Sequence, residues 1–142
     1  MEGTMKQLTI TSLLAMIVTI ALCGTDQHTG NAQQPSLKRT ELLKTELAGR
    51  GGEEMHIWTA DIAPGAATGR HYHPTPRFVV VLEGSVVLEI DGKPPQTFKA
   101  GTAFQEPPDV VHNFRNASST EPAKALGIQY AGKGQPLQHD AR

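Results

Sequence analysis

Short apolar runs, each ended by a glycine or proline turn, fill the chain after residue 50. Alternating or β-branched runs of this kind are typical of half-buried β-strands, because successive side chains point to opposite faces. No segment after residue 50 has an apolar stripe at helical spacing. The predicted strands are 55–62, 77–82, 85–90, 97–99, 102–106, 111–116 and 124–131. Short strands punctuated by turns predict an all-β fold, an antiparallel sandwich or barrel.

The turn residues refine this layout. The runs 77–82 and 85–90, separated by Glu83-Gly84 and closed by Asp91-Gly92, predict a hairpin. The segment 35–48 fits either a short amphipathic helix or an extended arm, and its periodicity does not decide between them. We therefore expect an N-terminal arm and loop over 33–52, a barrel over 53–132 and a flexible polar tail over 133–142.

The N-terminal segment is typical of a targeting signal. Leu8 to Cys23 contains no charged residue, follows Lys6, and is short for a membrane span, which needs about 20 apolar residues. The small-residue pattern Gly30-Asn31-Ala32 is a candidate cleavage site. A signal peptide over 1–32 predicts an exported protein, periplasmic or secreted. Two alternatives are a lipoprotein acylated at Cys23 and an uncleaved anchor helix.

Composition excludes several function classes. The formal charge is -1, so nothing in the balance of charges favours a nucleic-acid partner. With Cys23 as its one cysteine, the chain has neither an intramolecular disulfide nor a multi-cysteine zinc site. No Gly-rich phosphate loop or Ser-His-Asp arrangement is present in the sequence.

The candidate chemistry lies at His71-Tyr72-His73. Residues two apart on a strand point to the same face, so both imidazoles can reach one point. Imidazole is the commonest neutral metal ligand. On its own, however, the pair is equally consistent with a surface pair that binds no metal.

The residues around this pair resemble the two motifs of the cupin superfamily. The first motif matches at Gly65, His71, His73 and Gly84, and the second at Gly101, Pro107, His112 and Asn116, with Asp109 in place of a glycine. The anchors keep the spacing of the family. The resemblance implies a jelly-roll barrel, a double-stranded β-helix, and dimers formed through outer strands. The segment 36–47 is the candidate for reaching a neighbouring subunit.

The resemblance also implies a metal site of three histidines and one glutamate. The histidines carry over to His71, His73 and His112. The glutamate does not, because its position falls at Arg77, or at Phe78 if the gap is one residue longer. A divalent ion, Fe, Mn, Zn, Ni or Cu, is the implied cofactor.

Three interpretations of this departure stay open. In the first, three histidines hold the metal and Arg77 contacts an anionic small molecule. In the second, Glu106 replaces the missing carboxylate or pairs with Arg77. In the third, the pocket binds a small organic ligand without metal. His56 is expected to be a wall residue, and His139 is expected to lie in the flexible tail.

Two functions follow from these interpretations. Three-histidine cupins are similar to dioxygenases, which favours a metal-dependent oxidoreductase acting on a small organic molecule. The alternative is a non-catalytic cupin that binds a metal or a small ligand, as a sensor or carrier does. A homodimer is the expected assembly.

Overall fold

The computed structural model describes residues 36–141, and within that range it contains strands and no helix. The strands are β1 (Leu37–Glu46), β2 (Glu53–Ile62), β3 (His71–Tyr72), β4 (Arg77–Glu83), β5 (Ser85–Ile90), β6 (Gln96–Lys99), β7 (Ala103–Glu106), β8 (His112–Asn116), β9 (Ala123–Gly132) and β10 (His139–Asp140). The predicted all-β class is confirmed. The proposed signal peptide and Cys23 lie outside the described residues. The described part of the chain has no helix of the length and apolarity that crossing a bilayer requires.

The strands form two five-stranded antiparallel sheets. The first has the order β1-β2-β9-β4-β7, and the second has the order β10-β3-β8-β5-β6. Burial alternates strictly along β9 and along most of β2. One face of the first sheet therefore packs inward, where Trp58 and Val79 meet Val86 and Phe114 of the second sheet. The site described below lies between these two inner faces.

The turn at Glu83-Gly84 is not a hairpin, which corrects the sequence prediction for this pair of runs. β4 pairs with β7 and β9, whereas β5 pairs with β6 and β8, so the chain changes sheets here. Gly84 has φ of 69°, and a Cβ at this position would lie 2.7 Å from the carbonyl oxygen of Pro122. Only glycine fits a left-handed turn this close to another backbone. The hairpin instead joins β5 to β6, and Asp91-Gly92 lies in its turn.

Both ends of the described chain belong to the sheets. The segment that sequence left open between helix and arm forms β1, an extended edge strand that pairs with β2 of its own chain and has a bulge between Glu41 and Leu43. The prediction of a flexible tail over 133–142 is wrong at residues 139–140. There β10 pairs with β3, and the ring of His139 stacks on Tyr72 at 5.2 Å.

Candidate metal centre

Three buried histidines meet in the second sheet. His71 on β3 and His112 on β8 are directly opposite each other in the antiparallel register, so their side chains share the inner face. His73 follows two residues after His71 and points the same way. All three side chains are fully buried, and their ring centroids lie 4.5–4.9 Å apart. The structure thus brings together the three histidines that the resemblance selected.

Backbone carbonyls fix the tautomer of each ring. The Nδ1 atoms of the three rings lie 2.8–3.0 Å from carbonyl oxygens, His71 from Gly69, His73 from Leu137 and His112 from Val110. A carbonyl can only accept, so each Nδ1 carries the proton and donates it. Each Nε2 then has a free lone pair facing the centre of the cluster. Metal-binding histidines have this arrangement, because the second ring nitrogen is held by an acceptor.

Glu106 completes the cluster from the first sheet. It lies at the end of β7, directly opposite Arg77 of β4, which occupies the position of the family's glutamate. The Glu106 Oε2 atom lies 3.0 Å from His73 Nε2, 3.7 Å from His112 Nε2 and 3.5 Å from Arg77 Nη1. The carboxylate therefore enters one strand away from the usual position, and the arginine that displaced it becomes its ion-pair partner.

The cluster has the donor set of a divalent-metal site, and part of it already has the spacing of bound ligands. The ligand atoms of His71, His73, Glu106 and His112 all lie within 4.8 Å of one another. Donors bound to one ion at ~2.1 Å, at angles near those of a tetrahedron or octahedron, lie roughly 3.0–3.4 Å apart. The Nε2 atoms of His73 and His112 are 3.2 Å apart, within this range.

The lone pairs of the cluster also call for a cation. With both Nδ1 protons donated to carbonyls, His73 Nε2 and His112 Nε2 have no proton to place between them, and His71 Nε2 has no hydrogen-bond partner within residues 36–141. Protonation is one remedy, but burial lowers the pKa of His71 to about 4 and also lowers that of His73. A metal ion would accept the lone pairs of all four ligand atoms at once, so the residues present fit a divalent cation.

The protonation state of Glu106 also favours a metal. Burial raises the pKa of this carboxyl, but the nearby positive charge of Arg77 favours its ionised form, and the pKa lies below its ordinary value. Glu106 is therefore ionised at neutral pH, the form that binds metals. Burial lowers the pKa of Arg77 to about 10, and its guanidinium remains charged at neutral pH.

A polar row crosses the inner face of the first sheet and supports Glu106. Strand register places Glu106 opposite Arg77, Arg77 opposite Gln129, Gln129 opposite His56, and His56 opposite Lys44. Arg77 Nε donates to Gln129 Oε1 at 2.9 Å. His56 is a buried wall residue away from the metal cluster, between Glu41 and Glu54.

Sequence reasoning overlooked Gln129 and Arg39. The buried side of β9 otherwise consists of alanine and glycine, and a glutamine there was the available signal for a polar contact. The guanidinium carbon of Arg39 on β1 lies 5.5 Å from the ring centroid of Trp58, and that of Arg77 lies 5.0 Å from the same ring. No local pattern marks Arg39, because every residue of β1 after Leu37 is exposed.

The C-terminal segment reaches the site through Leu137. Its carbonyl oxygen accepts hydrogen bonds from His73 Nδ1 at 3.0 Å and from Gln129 Nε2 at 2.9 Å. The next residue, Gln138, accepts a hydrogen bond from Arg39 Nη2 at 3.1 Å. The segment expected to be a free tail thus positions one of the three histidines.

Comparisons with known proteins agree with this fold. The chain is 36% identical over 89 residues to the dimethylsulfoniopropionate lyase DddW of Ruegeria pomeroyi, an alignment that covers 63% of this chain. It spans about half the length of that curated relative, 53%. A cupin-like protein from Thermotoga maritima superposes with a TM-score of 0.56 at 25% identity, covering 70% of this chain and 77% of the other.

The lyase DddQ of the same Ruegeria species superposes with a TM-score of 0.57 at 19% identity, covering 73% of this chain and 51% of the other, and so shares the fold. The family model described as "Cupin domain" matches residues 58–128, which is half of the 142 residues and includes all four members of the cluster. This chain therefore belongs to the cupin family.

Proposed function

We propose that this protein is a divalent-metal-dependent enzyme that acts on a small organic molecule, with oxidative cleavage by dioxygen as the favoured reaction. One observation carries the proposal. Three imidazole Nε2 atoms and an ionised carboxylate converge in a fully buried cluster, and their free lone pairs exceed the protons available to them.

The residues of the site divide into ligands and a support. His71, His73, His112 and Glu106 would hold the ion, which when bound supplies a Lewis acid or a redox centre. Arg77 holds Glu106 in place from the neighbouring strand, and Gln129 holds Arg77. The two sheets exclude bulk water from these groups, because all of them are buried.

The absence of a free base favours oxidation over elimination. Elimination needs a group that removes a proton from carbon. Within residues 36–141, Glu106 is the carboxylate of the cluster. As a metal ligand it would not be free to remove a proton from the substrate. Tyr72 stacks on His139, and Tyr130 lies against Arg50 on the other face of β9. Neither phenol is placed to serve as the base.

A lyase is the second candidate, because the sequence relative is a dimethylsulfoniopropionate lyase. This function requires Glu106 to act as the base, and it leaves the metal with three histidines. Glu106→Gln separates the two candidates. It should weaken metal binding if Glu106 is a ligand, and it should abolish lyase turnover with metal still bound if Glu106 is the base.

The test uses full-length protein reconstituted with Fe²⁺, Mn²⁺ or Zn²⁺. Oxygen consumption is followed with a panel of small organic acids, and loss of dimethylsulfoniopropionate is followed by NMR without oxygen. Oxygen uptake that depends on both metal and substrate supports the proposal. Anaerobic loss of dimethylsulfoniopropionate favours the lyase. Bound metal with neither reaction favours the non-catalytic alternative, a metal or ligand carrier.

We also propose export, with removal of residues 1–32. The support is the uncharged run from Leu8 to Cys23 and the small-residue pattern that follows it. Intact mass of protein from an export-competent host should correspond to a chain beginning near Gln33. A mass that includes residues 1–32 would contradict cleavage, and an acylated Cys23 would favour the lipoprotein.

A second copy of the chain is the proposed occupant of the outer face of the first sheet. Leu43, Ile57, Ile128 and Phe78 are directly opposite one another across four strands and form an uncharged row. The neighbouring row, Thr40, Thr59, Leu126, Val80 and Ala103, is also uncharged. Phe78 is 45% exposed although it lies mid-sheet. Such a face fits an identical face across a two-fold axis.

A further inference from the structure

One nitrogen of the Arg77 guanidinium has no acceptor in the described part of the chain. The residue is 4% exposed, its Nε donates to Gln129, and its Nη1 lies 3.5 Å from Glu106. The Nη2 atom is buried and has no partner among the described residues. A buried donor on a charged group is unfavourable without an acceptor, so an acceptor is expected beside it.

A second guanidinium lines the same cavity. Arg39 and Arg77 both border it, both lie over the ring of Trp58, and Glu106 is the one carboxylate among its described lining residues. Two guanidiniums against one carboxylate leave an excess of positive charge. Once Glu106 also neutralises part of a divalent ion, that excess grows to about three charges, because the histidines are neutral.

Arg39 borders the route from the outer cavity to the inner cavity. The inner cavity beside Glu106 has a volume of ≈ 20 Å³, room for about one water molecule. An open outer cavity of ≈ 390 Å³ adjoins it and shares Leu37, Arg39 and Thr68 with it. Arg39 lies where the two cavities meet, and its hydrogen bond to Gln138 holds it there.

We propose that the two cavities form a binding site for a short-chain carboxylate, with Arg39 as the residue that selects the charge and Arg77 Nη2 as the second donor. The inner lining next to the guanidiniums is apolar, with Val79, Phe114 and Ala125, and its volume suits about one methyl group of the ligand, while the rest would lie in the outer cavity. A carboxylate matches two planar guanidiniums better than a neutral group does. This inference rests on the proposed function in one respect, the gain in affinity expected when the metal is bound.

Trp58 reports on this site directly, because it is the one tryptophan of the chain, lines the inner cavity and lies beneath both guanidiniums. Metal-free and zinc-loaded full-length protein are titrated with propionate and with propionamide at constant ionic strength. Fluorescence and calorimetry are read in parallel, and zinc content is measured in the same samples. We expect saturable binding of propionate, tighter with zinc, and no binding of propionamide.

Arg39→Gln and Lys38→Gln form the matched pair of variants. They remove the same charge from adjacent residues of one exposed strand, but Lys38 points to the opposite face of the sheet. Arg39→Gln should weaken propionate at least 10-fold and Lys38→Gln should not. Equal binding of propionate and propionamide, or equal loss in both variants, would overturn the inference. Failure to bind zinc would instead overturn the proposed function, while propionate binding to the metal-free protein still tests the arginine pair.

Discussion

Lone pairs outnumber protons where His71, His73, His112 and Glu106 meet. Each imidazole donates its proton to a backbone carbonyl. The three Nε2 atoms and the Glu106 carboxylate, all with free lone pairs, then face one another in a buried interior. Without a metal, this arrangement can be relieved only by protonation or by opening of the site. The stability of the site should therefore depend strongly on pH and on divalent ions.

The metal-free protein should lose stability as pH falls from 7.5 to 5. The pKa of His71 is about 4 in the folded state and near 6.5 in the unfolded chain, so below pH 6.5 the unfolded state binds more protons. The contribution of His71 is complete above pH 6.5 and is lost towards pH 4. Urea unfolding measures this, and His71→Gln should show a shallower slope. A stability that stays constant or rises on acidification would contradict the prediction.

Arg77→Glu should tighten divalent-metal binding, by roughly tenfold, while destabilising the metal-free protein. It restores the carboxylate at the family position but sets it against Glu106 with no cation between them. Loss of a buried ion pair costs about 3 kcal/mol or more. Arg115→Glu, which breaks a half-exposed pair with Glu89, is the control and should cost under about 1 kcal/mol. Unchanged metal affinity in Arg77→Glu would place the residue outside the site.

At the scale of the elements, β9 is the strand that gives the pocket its shape. Its inward side chains are small, and Gly127 lies directly beneath the ring of Trp58, which it also faces across the strand pair. A Cβ on Gly127 would lie 2.4 Å from two ring atoms. The close approach lets Trp58 lie flat between the strand and the guanidiniums.

Gly127→Ala should therefore displace Trp58 and destabilise the fold by about 1–3 kcal/mol through overpacking. The tryptophan fluorescence should shift at the same time. Gly51→Ala is the matched control, because a Cβ there meets no atom within 4 Å and the backbone needs no positive φ. Equal stability of the two variants, measured by thermal unfolding, would show that Trp58 does not depend on this glycine.

Features set by local sequence patterns could be predicted, whereas features set by which strands pair could not. Short runs bounded by turn residues located β2 and β9, and the spacing of His71 and His73 placed both rings on one face. Nothing local could show that Arg77 would lie opposite Glu106, since that depends on which strands become neighbours. The bend at Pro107 also hid the direction of Glu106, and the tail gave no sign that Leu137 would hold His73.

Asp109 illustrates how a departure from a motif is accommodated. It stands where the family has glycine and has φ of 56°, in the left-handed region that aspartate tolerates better than most residues. Its backbone N–H donates to the carbonyl of His73 at 2.7 Å. The turn thus keeps its contact with the metal cluster despite the changed side chain.

At the scale of the whole molecule, the outer face of the first sheet decides the assembly. We expect a dimer at micromolar concentration and a monomer for Phe78→Glu, because a buried charge in the centre of the uncharged row opposes association. Gln96→Glu adds the same charge to the exposed β6 of the other sheet and should leave the dimer intact. A monomeric parent protein in sedimentation velocity would rule out this interface.

Metal content of the untagged protein tests the central claim most directly. Titration of the full-length, metal-free chain should give one divalent ion per chain, and His71→Ala, His73→Ala, His112→Ala and Glu106→Gln should each weaken binding at least about 10–100-fold. His56→Ala removes a buried histidine outside the cluster and should bind as the parent does. Stoichiometric metal retained by the variant that lacks all three cluster histidines would contradict the account.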